Sequence, residues 1–271
     1  MERKSVWFQE LSGPEVVDWA KTQCDLAILP LGAIEQHGPH CPNGSDAFNA
    51  IGLAERIGQN SKAIILPCPM YGSHPYHHWG VHGTIPLTFE THIGLVTDII
   101  RGAAVSGFNK FIILSAHGQV SSTIVAVHKL GIEGHFVLSM HWYDFLRDNK
   151  EIFSDYMWHA DESETSLALY MYPQFVDMSK AAPGEATGLI SSKWKIAPGA
   201  EAKPGQMYHF EGTFALPEKF DMRKSNGCVG DPTKATKEKG EKAVTKTVKM
   251  VCELIDEIMT AYPVGVKPVT A

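Results

Sequence analysis

LPLGAIEQHGPHCPNGSD, residues 29–46, leaves an apolar run and enters a segment broken by glycine and proline that holds Glu35, His37, His40 and Asp46. The change marks the end of a buried strand, and the polar side chains just beyond it are metal-ligand types. Glu35 and His37 are two residues apart, so on extended backbone their side chains leave one face. A following loop can swing Asp46 back toward them. Carboxylate and imidazole together suit Zn, Mn or Fe. Isolated Glu-x-His pairs are mostly solvated loop residues, but here the density of ligand types around several glycines and prolines favours a metal centre.

Outward from this stretch the chain alternates. Apolar runs of strand length occupy 25–32, 63–69, 110–118 and 135–142, bounded by turn residues, as buried parallel strands are. Between them lie helical stretches that begin after Asp46, at Glu90 and at Gln119. Strand alternating with amphipathic helix predicts an α/β fold over 1–271: one domain, a mostly parallel sheet, and helices on both faces in three α/β/α layers. Ligands of such sheets bind outside the carboxyl ends of the strands. Glu35 and His37 follow the first strand, His74, His77, His78 and His82 the second, and His117 the third, so the histidine-rich segments fall on one sheet edge.

The chain has 13 histidines, and their placement carries more than their number. GSHPYHHWGVHGTIPL combines four imidazoles with Tyr76 and Trp79 between glycines and prolines, as a loop lining a polar pocket would. His117, in IILSAHGQV, stands at a strand-to-helix turn with Ser115, Ala116 and Gly118 leaving room around it, which suits a ligand better than a packed core residue. DYMWHADESETSLALYMYP, residues 155–173, opens a further helix with Asp161 or Ser163 as its cap and Glu164 in its first turn. Its carboxylates therefore have a structural reading. The functional reading has His159 serving proton transfer and Glu164 closing the coordination sphere, and spacing does not choose between them.

A net charge of −6 with 24 Lys+Arg spread along the chain gives no electrostatic case for nucleic acid or an anionic membrane. No segment approaches the roughly 20 apolar residues of a membrane span, and MERKSVWFQE lacks an apolar signal core. A cytoplasmic protein acting on a small molecule is expected. The 5 cysteines are odd in number and lack CxxC spacing, so they read as reduced thiols, with Cys41 near the expected metal. No GxGxxG, GxxxxGK[ST] or GxSxG follows a predicted strand. Residues from about 175 to 231 are expected to form strands and loops that finish the pocket or an oligomer contact, with Tyr208, His209 and Glu211 favoured as part of an ordinary surface hairpin. The run from Thr233 to about Ala261 has a helix-spaced apolar face.

These residues carry a resemblance. GAIEQHGPHCPNGSD resembles the first motif of the creatininase (creatinine amidohydrolase) family, SAHGQV stands where that family has an Asn-Gly-His-Gly-Gly-Asn turn, WHADESETS is similar to its His-Ala-Gly-x-x-Glu-Thr-Ser motif, and GCVGDPTKATKEKG is similar to its closing Gly-x-x-Gly-Asp-Pro segment. The resemblance implies a metal-dependent α/β hydrolase with one or two divalent ions (Zn, Mn or Fe), assembled as a homo-oligomer, often a hexamer. Glu35, His37, Asp46 and His117 match metal ligands, with Asp46 able to bridge two ions, and His159 matches the residue of proton transfer. The family's further ligand two residues beyond His117 is here Gln119, a neutral amide. Either Glu164 completes the second site or a second ion binds weakly. The usual asparagine before His117 is Ala116, and the Glu-His pair of the second segment is His77 and His78.

The expected substrate contacts are Ser73, His77, His78, Trp79, Gln119 and Trp158, with His159 and Glu164 as catalytic residues. The expected reaction is hydrolysis by a metal-activated water of a small polar, cyclic substrate, by C–N amide or lactam cleavage. The alternatives are C–C cleavage of a cyclic diketone such as a keto-inositol, as some creatininase-like proteins perform, and a non-catalytic metal- or sugar-binding relative.

Overall fold

The computed structural model describes residues 3–75, 78–146, 151–154, 157–184 and 226–269. Four strands, β1 (Leu26–Leu31), β2 (Ile64–Ile65), β3 (Lys110–Ser115) and β4 (Phe136–His141), form a sheet of order β2-β1-β3-β4. Every pairing is parallel, with Leu31 opposite Ser115 and Ser115 opposite His141 at one edge. β1 and β3 are buried along their whole length, as central strands covered on both faces must be.

Six helices cover the sheet: α1 (Gly13–Thr22), α2 (Ser45–Asn60), α3 (Phe89–Val105), α4 (Val120–Ile132), α5 (Glu162–Met171) and α6 (Lys237–Ala261). α3 packs on α4, and α2, α5 and α6 pack on one another, which gives the expected α/β/α layers. α6 buries Ala243, Val244, Val248, Val251, Ile255 and Ile258, its predicted apolar face.

One predicted strand comes out shorter, and one predicted helix starts at an expected cap. The run at 63–69 keeps only Ile64–Ile65 as strand, because Pro67 and Pro69 have no N–H to give a ladder. The segment 155–173 is helical only over Glu162–Met171, and Asp161 supplies the cap by accepting from the N–H groups of Ser163 and Glu164. Below the sheet, Lys110 and Asp25 form a buried pair, Nζ to Oδ1 2.7 Å, and the N–H of Gly265 donates to Asp25 Oδ2 at 2.8 Å.

Candidate metal centre

The first motif is shaped by two close approaches. A side chain at Gly32 would place its Cβ 2.3 Å from the Ala47 Cα, so only glycine lets the start of α2 pack against the end of β1 and bring Asp46 beside Glu35 and His37. Gly38 has φ 67 and abuts His40 and Cys228, a left-handed turn that glycine adopts at little steric cost. The N–H of Glu35 donates to the Asn43 carbonyl at 2.8 Å and closes the loop.

Inside it, His37 Nε2 stands 3.1 Å from Asp46 Oδ1 and 3.4 Å from Glu164 Oε2. His117 Nδ1 stands 3.0 Å from Glu35 Oε2 and 3.1 Å from Asp46 Oδ2. His159 Nδ1 is 3.7 Å from Glu35 Oε2, and His78 Nδ1 is in contact with Glu35 Oε1. Five residues from four separate segments, Glu35, His37, Asp46, His117 and Glu164, thus meet in one buried cluster. The predicted ligand set comes together as a unit.

The tautomers are fixed from behind. His37 donates its Nδ1–H to the Glu35 carbonyl at 3.0 Å, His117 its Nε2–H to the Ser73 carbonyl at 3.1 Å, and His159 its Nε2–H to the Gln36 carbonyl at 2.8 Å. Each ring therefore turns its other nitrogen into the cluster, a lone pair once the ring is neutral, which is how proteins hold metal-ligating imidazoles. His37 Nε2 and Asp46 Oδ2 are buried without a well-formed hydrogen bond, although each has an oppositely charged neighbour at 3.1 Å. These atoms gather about one interior space. Ligand atoms of Glu35, His37 and His159, of Glu35, His74 and His117, and of His37, Asp46 and Glu164 each lie within 4.8 Å of one another. The donor set fits one or two divalent cations.

Electrostatics point the same way. Burial opposes a charge on His117, yet Glu35 and Asp46 outweigh it and push the pKa up to about 10. Burial likewise opposes charge on His37, and Asp46 with Glu164 raises it well above the usual range. The buried carboxylates demand positive charge, which protons supply here and cations would supply better. His159 differs: burial lowers its pKa and His37 lowers it further, against the pull of Glu35, so its inward nitrogen is kept unprotonated.

The third and fourth motifs act together. Val229 and His159 exchange backbone bonds, with the Val229 N–H donating to the His159 carbonyl at 2.9 Å. Ala160 has φ 49, a left-handed conformation uncommon outside glycine and typical of functional sites. Its N–H donates to Glu164 Oε2 at 2.6 Å, which aims the carboxylate toward His37.

The predicted substrate contacts divide. His78 lies on Glu35, while Trp79 is exposed with its indole N–H donating to the His74 carbonyl at 3.3 Å. Trp158 is half-buried and its N–H donates to Asp161 Oδ2 at 2.5 Å. The Ser73 hydroxyl is bonded to that of Ser122 at 2.6 Å, and Gln119 donates to the Gly32 carbonyl at 3.4 Å. Both are thus engaged with protein. His77, Tyr208, His209 and Glu211 lie outside the described residues. Cys41 turns to Thr165, Sγ to Oγ1 4.0 Å, and belongs to none of the three ligand groups. What sequence reasoning missed is the Ser73, Ser122 and His92 chain, in which His92 Nδ1 meets Ser122 Oγ at 2.8 Å. His92 sits within α3, and no local motif marked it.

The family model for creatininase, described as creatinine amidohydrolase, matches residues 9–255. The chain belongs to the creatininase family. A 3-dehydro-scyllo-inosose hydrolase of Thermotoga maritima is 31% identical over 282 residues, covering 99% of this chain and 88% of that protein. The creatinine amidohydrolase of Pseudomonas putida is 31% identical over 197 residues, covering 65% of this chain and 76% of that one. The solved structure of Creatininase Mn matches with TM-score 0.75 at 23% identity, over 96% of this chain and 100% of that chain, a likeness of fold. The protein is thus a creatininase-family hydrolase, and the buried carboxylate and imidazole cluster is where its family's first and third motifs meet. Among the described residues no helix is long and apolar enough to cross a membrane.

Proposed function

We propose that this creatininase-family hydrolase opens the ring of a small polyhydroxylated cyclic ketone by adding water across a C–C bond next to a carbonyl. What carries the reading is the likeness over 99% of the chain to a 3-dehydro-scyllo-inosose hydrolase. Glu35, His37, Asp46, His117 and Glu164 would hold one or two divalent ions, with Asp46 shared. When bound, such ions polarise a carbonyl and make water acidic near neutral pH.

The chain's own residues do the rest. His159, fixed by the Gln36 carbonyl through Nε2, uses Nδ1 to take a proton as water oxygen bonds to the ring carbonyl carbon. The bond from that carbon to the ring carbon between two carbonyls then breaks, and its electron pair leaves as an enolate. His159 returns the proton to the enolate carbon, and the products are a carboxylate and a ketone in one opened chain. A neutral imidazole suits this two-way traffic. His78, Trp79 and Trp158 line the approach as contacts for ring and hydroxyls.

A second reading, hydrolysis of a cyclic amide, is favoured by the likeness to creatinine amidohydrolase over 65% of the chain. The metal-loaded protein incubated with cyclic 1,3-diketones and with cyclic amides separates the two. Carboxylate release from the diketones alone supports ring-ketone cleavage, and release of an amino acid from the amides alone reverses the assignment. Turnover of neither, unchanged by chelator, would make the protein a binding relative.

For its setting we propose the cytoplasm and a homo-oligomer. All five cysteines are unpaired, and Val105 and Ile132, on α3 and α4, are 89% and 84% exposed, apolar area that a second copy would cover.

A further inference from the structure

Gln119 stands where the family resemblance places a further carboxylate ligand, and its neutral amide brings no charge to the cluster. Its amide nitrogen donates to the Gly32 carbonyl at 3.4 Å. Its Oε1 occupies the space a side chain on Gly72 would need, 2.4 Å from that imagined Cβ. Glu164 supplies a carboxylate beside His37 and Asp46, and the side of Glu35 and His117 has a further candidate.

His74 is that candidate. It is 1% exposed. It donates its Nδ1–H to the Gly72 carbonyl at 3.1 Å, the same backbone anchoring that His37, His117 and His159 show. Its Nε2 is buried with no hydrogen-bond partner among the described residues, which is costly unless something occupies that lone pair. The ring centroid is 4.4 Å from that of His117, and ligand atoms of Glu35, His74 and His117 lie within 4.8 Å of one another. Ligands of one ion, each about 2.0–2.2 Å from it, stand at comparable separations.

We propose that His74 Nε2 is a metal ligand, giving one ion Glu35, His74 and His117 and the other His37, Asp46 and Glu164, with Asp46 reaching both. As a neutral donor His74 adds no negative charge to the ion it holds, and its bearing on catalysis rests on the ring-ketone reading above.

The test reads metal, not turnover, so its failure is distinct from failure of that reading. Apoprotein titrated with zinc against a competing chelator should take up two ions per chain. In His74→Asn, which preserves polarity and folding volume better than alanine, one ion should bind at least 10-fold more weakly. The folded wild-type protein is read as well: with cobalt bound, the exchangeable ring N–H of His74 should give a strongly shifted proton resonance that persists in His159→Asn, alongside those of His37 and His117. Two undiminished ions in a folded His74→Asn protein would overturn the assignment. So would a wild-type cobalt spectrum with only two such resonances.

Discussion

His37 Nε2 and Asp46 Oδ1 lie 3.1 Å apart in the interior, and neither His37 Nε2 nor the other oxygen of Asp46 makes a well-formed hydrogen bond. The pair is held together by position. His37 is anchored through Nδ1 on the Glu35 carbonyl, and Asp46 rides the first turn of α2, which packs against Gly32. Such a pair is preorganised for a cation.

Loading metal should therefore displace protons. With burial opposed and overcome by Glu35 and Asp46, His117 has a pKa of about 10, and His37 is also raised. At pH 7 both hold a proton until a cation replaces it. Calorimetric titration of the apoprotein with zinc, repeated in buffers of different ionisation enthalpy, should show release of about two protons per chain at saturation. A heat independent of buffer would show that these imidazoles were neutral beforehand.

His159→Gln should separate proton traffic from metal binding. The ligand cluster does not depend on its Nδ1, so metal content should stay at the wild-type level. Loss of a positioned acid–base group typically lowers kcat by about 10²–10⁴-fold. Steady-state kinetics with elemental analysis of the same sample check this. A variant that loses its metal along with its activity would instead make His159 a ligand.

The sheet and most of the centre were legible in the chain because both depend on local pattern. Parallel strands buried on both faces are continuous apolar runs, and β1 and β3 appear where DLAILPLG and KFIILS predict them. Glu35, His37 and His117 follow strand ends, where the topology gathers them. Less local features were harder to read. Which cap opens α5, how far the strand at 63–69 runs, and that His74 comes beside Glu35 and His117 while the Gln119 amide meets Gly32 all depend on contacts between segments distant in sequence. The left-handed Ala160 is a further case, since nothing in WHADESET announces a backbone that only its surroundings can enforce.

Acid should unfold the protein through histidines buried as neutral rings. Burial, then His117, lowers His92 to about 4, and burial, then His37 and His159, lowers His40 to about 4. The unfolded chain takes up these protons near pH 6.5, so below that it binds more protons than the folded one. The stability the two rings contribute is present above about 6.5 and is lost as pH falls toward 4, on the order of 3 kcal/mol per ring at most. Urea unfolding at pH 7 and pH 4.5 should show the loss, and His92→Gln should lessen it. An equal loss in the variant would remove His92 from the account.

At the opposite edge of the sheet, Lys110 and Asp25 are 0% and 1% exposed and 2.7 Å apart. Two buried charges so placed gain little net stability over apolar residues of the same shape, but either one alone is costly, because its desolvation is no longer compensated. Asp25 keeps one bond, from the Gly265 N–H, which leaves its other oxygen facing the gap. Lys110→Met should destabilise the fold by about 3–5 kcal/mol, and the double change Lys110→Met with Asp25→Asn should recover much of that. The pair lies at the strand ends remote from the metal centre, so metal affinity of the surviving folded protein should be unchanged. Denaturant unfolding of the two variants measures the first effect and zinc titration the second. A single variant no less stable than wild type would mean that water reaches Asp25 where it stands.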